Sequence, residues 1–234
     1  GIGFRSGVFN QGGIEEAAAD AGIKGVKEIA DQEVARTFEV GFKSEWFNRR
    51  FSLDGSFFHT QDEGMPFFVF VGGVGAQIII NIEESTITGT EGEAKLTLFE
   101  GFDAYFSAGY THSEITEYPV ETEFEGNQLP LVPESTLNVG AQYRKEIYRG
   151  IGIFTRLDYE RRGKQYWNPS NATSRSAVKL LNIRAGFEDI DQKWSLIVEG
   201  FNITNEVYNT DYVAGGFAQP SLPDRWMLNL KINF

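Results

Sequence analysis

Apolar side chains recur at every second position in segment after segment of this chain. Trp226, Leu228, Leu230, Ile232 and Phe234 alternate with residues that include Asn229, Lys231 and Asn233. A period of two sends successive side chains to opposite faces of a strand. Phe38, Val40, Phe42 and Trp46 share one face against Thr37, Glu39, Lys43 and Glu45. After Phe47-Asn48-Arg49-Arg50, Phe51, Leu53, Gly55 and Phe57 alternate with Ser52, Asp54 and Ser56, which predicts a hairpin with a tight turn. The same alternation carries Ala94, Leu96 and Leu98; Phe102 to Tyr110; Leu137 to Tyr143; Ile151 to Tyr159; Leu181 to Phe187; and Trp194 to Val198.

The pattern predicts nine strands, with a fragment of another in residues 1–9. Connections near 48–50, 99–101, 147–150 and 189–192 are short, whereas those at 10–33, 61–91, 117–133, 163–177 and 203–222 are long. Trp46, Phe47, Phe99, Phe102, Tyr148 and Trp194 sit beside the short turns, and Tyr118, Tyr166, Trp167 and Trp226 near the long connections. Short turns on one side, long loops on the other and an aromatic girdle at each level are the marks of an outer-membrane barrel. The fold expected is all-β: an antiparallel up-and-down transmembrane β-barrel, with about ten strands in this sequence. The rival from the same alternation is a soluble β-sandwich, whose polar face would see bulk water. Ile14 to Ala30, rich in Ala, Glu and Lys, is expected to hold a short helix weakened by Gly22 and Gly25 and to decorate the surface.

Composition adds boundaries. The 234 residues carry a net charge of −12, which argues against a nucleic-acid partner. No apolar run approaches the roughly 18 residues of a spanning helix, and the mean hydropathy of −0.29 hides strands of which only alternate residues meet lipid. Twenty Phe, nine Tyr and 26 Gly favour strands and tight turns. The opening Gly1-Ile2-Gly3-Phe4-Arg5 reads like mid-domain sequence, favouring the back part of a longer protein over a chain whose signal has been removed.

Catalytic chemistry is sparse. With no Cys and two His, a transition-metal site is not expected, and neither is a cofactor. His59 and His112 lie far apart in sequence and are read as girdle or loop-edge residues, although His112-Ser113-Glu114 leaves open a His/acid pair of a small ten-stranded outer-membrane enzyme. Gly72-Gly73-Val74-Gly75 lacks the strand-to-helix setting of a phosphate loop and reads as a loop tip. Asp189-Ile190-Asp191 lacks the later Gly and Glu of a calcium loop. No catalytic residue is assigned.

Several segments resemble one family, the TonB-dependent outer-membrane receptors. Thr37-Phe38-Glu39-Val40-Gly41-Phe42-Lys43-Ser44 and its partner Phe51 to Thr60 are similar to a barrel hairpin of that family. Gly3-Phe4-Arg5-Ser6-Gly7, Ile87-Thr88-Gly89-Thr90-Glu91, Val198 to Tyr208 and the last strand match further motifs in the same order. The resemblance spans essentially the whole chain. It implies a barrel of about 22 strands around a plug, energised through TonB, that takes up a scarce nutrient such as a siderophore or carbohydrate across the bacterial outer membrane. Residues 1–234 would then be the C-terminal portion of the barrel, with plug and earlier strands outside this sequence. The partners implied are outer-membrane lipid, the TonB complex through the plug, the barrel-assembly machinery and a small nutrient ligand. Trp226, Leu228, Leu230, Ile232 and Phe234 would form the C-terminal assembly signal. Ligand contacts would come from loop residues Tyr166, Trp167, Asn168, Tyr208, Tyr212, Phe217 and Gln219, whose aromatic rings suit sugars, iron chelates or corrinoids; the alternative is that they pack loops or form the upper girdle. The charges Glu39, Lys43, Glu93, Lys95, Arg156, Asp158, Glu160, Arg184 and Glu188 would face the lumen and neutralise one another across strands.

Overall fold

A computed structural model describes residues 1–20, 22–71, 76–213 and 216–233. In chain order its elements are β1 (Ile2–Arg5), β2 (Val8–Phe9), α1 (Ile14–Asp20), β3 (Ile29–Ala30), β4 (Glu33–Trp46), β5 (Phe51–Val71), β6 (Ala76–Phe99), β7 (Phe102–Glu117), a 3-10 turn at Thr122–Phe124, β8 (Ser135–Tyr148), β9 (Ile151–Arg162), β10 (Gln165–Tyr166), β11 (Ser174–Arg175), β12 (Val178–Asp189), β13 (Trp194–Phe201), β14 (Asn209–Tyr212), β15 (Ala218–Pro220) and β16 (Arg225–Ile232). Ten of them form one antiparallel sheet in the order β1-β4-β5-β6-β7-β8-β9-β12-β13-β16. Each strand pairs with its predecessor in the sheet, as expected of a meander. The sheet is open, with β1 and β16 at its edges.

The nine expected strands are all present, and the fragment near the start is β1. The short turns are built from backbone that bends left-handed. Phe47, Asn48 and Arg49 have φ of 54°, 56° and 65°, and Gln192 closes the β12–β13 turn at 61°. Gly101 turns β6 into β7 at φ +81°, where a Cβ would stand 2.0 Å from the Arg144 carbonyl oxygen. Rings gather beside these turns: Trp46 stacks on Phe51 at 5.3 Å and Phe99 on Phe102 at 5.1 Å, with Tyr143 edge-on to Phe99 at 6.0 Å.

The register puts Phe38↔His59, Val40↔Phe57 and Leu196↔Leu230 on one face and Lys43↔Asp54 on the other. Side chains of the apolar face stand uncovered: Phe38 is 66% exposed, Leu228 70% and Leu230 61%. A sandwich would bury that face under a second sheet; among the described residues none lies there. The polar face differs from expectation in how its charges pair. Glu93–Lys95, Arg156–Asp158 and Glu160–Arg162 are neighbours along one strand, at 2.9, 2.8 and 2.5 Å. Arg5–Glu33 reaches across from β1 to β4, and Arg144–Glu188 from β8 to β12. Residues two apart share a face, so β6 and β9 neutralise charge within one strand.

Two expectations about the long connections are overturned. Residues 61–91 are mostly strand rather than loop: β5 and β6 run past the rest of the sheet as a tall hairpin, whose tip at Gly72-Gly73-Val74-Gly75 lies outside the described residues. Ile78, Ile79, Ile80 and Ile82 lack strict alternation because consecutive side chains are buried on both faces of β6. The segment from Ile14 to Ala30 is not mere decoration either. Ile14, Ala18 and Val26 are buried in the main apolar cluster with Ile78, Ile80, Ile82, Ile115, Tyr118 and Leu129. The principal core among the described residues therefore lies where the long connections pack on the loop ends of β6 and β7.

Candidate ligand-binding site in the loop layer

Side-chain amides hold the long connections together. Asn10 and Asn81 each bond backbone of the other segment: Asn10 both accepts from and donates to Ile79, and Asn81 accepts from the Asp31 amide at 2.8 Å. Asn171, at φ 54°, accepts from the Gln128 amide at 3.0 Å and donates to its carbonyl at 2.8 Å. The Leu131 amide donates to the Tyr166 carbonyl at 2.8 Å. Gly25 lies so close to Val120 that a Cβ would meet its side chain at 2.3 Å.

All five long connections meet at one recess of about 290 Å³. Ile23 and Lys24 come from the first, Phe67 to Phe70 from the tall hairpin, Tyr118, Val120 and Phe124 from the third, Trp167, Asn168 and Thr173 from the fourth, and Tyr212 from the fifth. Trp167 is 6% exposed, with its ring 6.2 Å from that of Tyr212; Tyr118 stacks on Phe124 at 6.0 Å. Burial, with Glu121 adding to it, pushes the Tyr118 phenol up to about 12, so it is neutral at working pH. Asn168 Oδ1 and Thr173 Oγ1 are buried without a hydrogen-bond partner. Unpaired buried polar atoms are costly, and these two belong to residues of the recess wall. The arrangement suits a small ligand with a flat or apolar body and a few polar atoms.

Of the loop residues singled out in the sequence, Trp167, Asn168 and Tyr212 line this recess. Tyr208 lies behind it: the Arg175 guanidinium stands 6.0 Å from the Trp167 ring and 5.8 Å from that of Tyr208. Burial, with Arg162 nearby, lowers the Arg175 pKa below its usual value. Tyr166 turns to Lys164, whose Nζ donates to its hydroxyl at 2.7 Å. Phe217 and Gln219 are exposed on the β14–β15 hairpin and do not line the recess. Trp226, Leu228, Leu230 and Ile232 lie exposed along β16, and Phe234 lies outside the described residues. Tyr118, Phe124 and the hairpin phenylalanines were not picked out from the sequence as site residues. The run Phe67-Phe68-Val69-Phe70 was the signal for the hairpin phenylalanines. His59 and His112 both flank Thr88 across the apolar face, with His59 Nδ1 2.8 Å from Thr88 Oγ1.

Solved structures of similar fold are receptors. The ferric yersiniabactin uptake receptor FyuA from Yersinia pestis superposes with a TM-score of 0.78 at 19% identity, covering 100% of this chain and 34% of that one. BauA, the ferric preacinetobactin receptor from Acinetobacter baumannii, gives 0.70 at 16%, covering 98% and 32%. The ferric-catecholate import receptor Fiu from E. coli K12 gives 0.67 at 15%, covering 100% and 32%. The chain thus spans about a third of the length of these receptors. Its sequence matches the family described as TonB dependent receptor-like, beta-barrel over residues 3–209. With that match over most of its length, and an open antiparallel meander to carry it, the chain belongs to the TonB-dependent receptor β-barrel family.

Proposed function

We propose that residues 1–234 are the C-terminal portion of the barrel of an outer-membrane receptor that takes up an iron chelate of the siderophore class. The observation that carries this reading is the convergence of all five long connections on one aromatic recess with unpaired polar atoms in its wall. The similar solved receptors are named for ferric yersiniabactin uptake and for ferric preacinetobactin, and a ferric chelate with aromatic or apolar groups on its rim matches walls of Trp, Tyr and Phe. The uncovered apolar face meets lipid of the bacterial outer membrane. The edges at β1 and β16 leave backbone groups that hydrocarbon cannot satisfy; the other barrel strands of the receptor cover them, and the barrel-assembly machinery inserts the whole. A plug outside this sequence takes the pull of TonB, while the loops capture ligand.

The test uses the intact receptor. Quenching of intrinsic fluorescence by a panel of ferric siderophores should identify one that binds, and Trp167→Phe and Tyr212→Ala should each raise its Kd about tenfold, roughly the loss of one buried aromatic contact. A panel with no binder, or variants that bind as tightly as the parent, would overturn the assignment.

A further inference from the structure

On the apolar face, Arg161 of β9 stands directly opposite Lys179 of β12, and directly opposite Leu137 of β8 on its other side. The row below it is Tyr159 opposite Leu181. Directly opposed side chains on a strand pair sit about 4.5–5.5 Å apart at Cβ, and like charges so placed repel. No carboxylate relieves them: among the described residues neither Arg161 nor Lys179 belongs to an ion pair, whereas Arg36, on the same face, is paired with Glu63. Arg161 Nη1 donates to Ser135 Oγ at 3.0 Å, which anchors one edge of the guanidinium and leaves the rest of its donors available. Lys179 is exposed.

Their height on the sheet is informative. Both lie at the ends of β9 and β12 that lead into the long connections. Along the register Tyr159 is one row below them and Tyr110, midway along β7 and opposite Ser135, one row above, while Trp226 belongs to the same face near the loop end of β16. Aromatic side chains mark the level where hydrocarbon gives way to headgroups. Two unpaired cations at that level, on the lipid side, face the layer in which lipid phosphates lie.

We propose that Arg161 and Lys179 form a binding site for the phosphate of a membrane-lipid headgroup on the outer wall of the barrel. The Arg161 guanidinium would take two phosphate oxygens side by side and the Lys179 ammonium a third contact. The anion removes the repulsion within the pair, and the acyl chains run down over Leu137, Tyr159 and Leu181. The proposal rests on the reading of the apolar face as lipid-facing and goes beyond the loop recess, which it does not involve.

Native mass spectrometry of the intact receptor, released from phosphatidylcholine nanodiscs doped with lipid A, tests it. The parent should retain lipid A carrying two phosphates, and monophosphoryl lipid A less well. The double variant Arg161→Ala, Lys179→Ala should retain at least tenfold less, while Arg161→Lys, Lys179→Arg holds the parental level. Equal retention by the alanine pair overturns the site. Displacement of the lipid by an equal concentration of inorganic phosphate overturns the lipid assignment and leaves a plain anion site. If the alanine pair does not insert, as judged by heat-modifiable gel migration, the exposed single change Lys179→Gln carries the comparison, with reduced retention supporting the proposal and parental retention overturning it. A parent receptor that stays dispersed without detergent would instead defeat the membrane reading beneath it.

Discussion

Asn10 and Ile79 pair as two strand residues would. Asn10 Oδ1 accepts from the Ile79 amide at 2.8 Å, and Asn10 Nδ2 donates to the Ile79 carbonyl at 2.9 Å. β6 runs past its pairing with β7, which ends at Glu84↔Glu117, so this stretch of β6 has an open edge. One side-chain amide covers part of it and fixes the first long connection to the tall hairpin.

Replacing Asn10 with Ala removes both bonds and leaves the edge to water. Hydrogen exchange should show it locally: the Ile79 amide is expected to exchange roughly tenfold to a hundredfold faster, as the loss of about two net hydrogen bonds implies. Amides in β9 and β12 should be unchanged. Uniform acceleration throughout the sheet would mean that the contact supports the whole fold rather than the loop layer.

Leu228, in the middle of β16 and 70% exposed, separates a membrane wall from a soluble surface. Leu228→Arg on a soluble face costs next to nothing. On a lipid face near mid-depth it costs about 2–4 kcal/mol. The expected result is a lower unfolding midpoint for the intact receptor in lipid vesicles, with Asn229→Arg, on the other face, nearly silent.

Gly101 and Gly126 both have positive φ, +81° and +87°, but their surroundings differ. A Cβ at Gly101 would strike the Arg144 carbonyl oxygen, whereas one at Gly126 meets nothing within 4 Å. Gly126→Ala should therefore cost only the backbone preference, about 1 kcal/mol. Gly101→Ala must also move β8 and should cost more than about 2 kcal/mol. Denaturant midpoints of the two variants give the comparison.

Tyr118 gives the loop layer a sensitivity to alkali. Its phenol ionises at about 12 when packed and near 10 when exposed. The packed state binds the proton more tightly, so its stabilisation is complete below pH 10 and is lost as the pH rises through 12. Ligand-free receptor should show opening of the layer in that window, seen as exchange at Ile115 and Leu129. In Tyr118→Phe the pH slope should be flatter there.

The strands were legible because the barrel wall imposes a local rule. Each residue from Phe38 to Trp46 or from Trp226 to Ile232 meets either the apolar or the polar side, and a period of two records which. Turn chemistry was legible for the same reason, since Gly101 and Asn48 solve problems that span only a few residues. The candidate site was partly legible: Trp167, Asn168 and Tyr212 drew notice as polar-aromatic loop residues, but so did Phe217 and Gln219, which stand elsewhere.

What the sequence determined by itself was therefore the meander, its two faces and its family. Where the core lies was decided by tertiary structure. Ile14, Ile80, Ile115 and Leu129 come from four separate connections or strand ends, and no periodicity relates them. The partnering of charge along strands, as in Arg156 with Asp158, depended on side-chain reach rather than on strand register. The recess exists only because five connections fold over one another, and the like-charged pair Arg161 and Lys179 became visible only when register set two distant residues side by side. Local alternation encodes which side of a wall a residue faces; contacts between distant loops have no such one-dimensional signature.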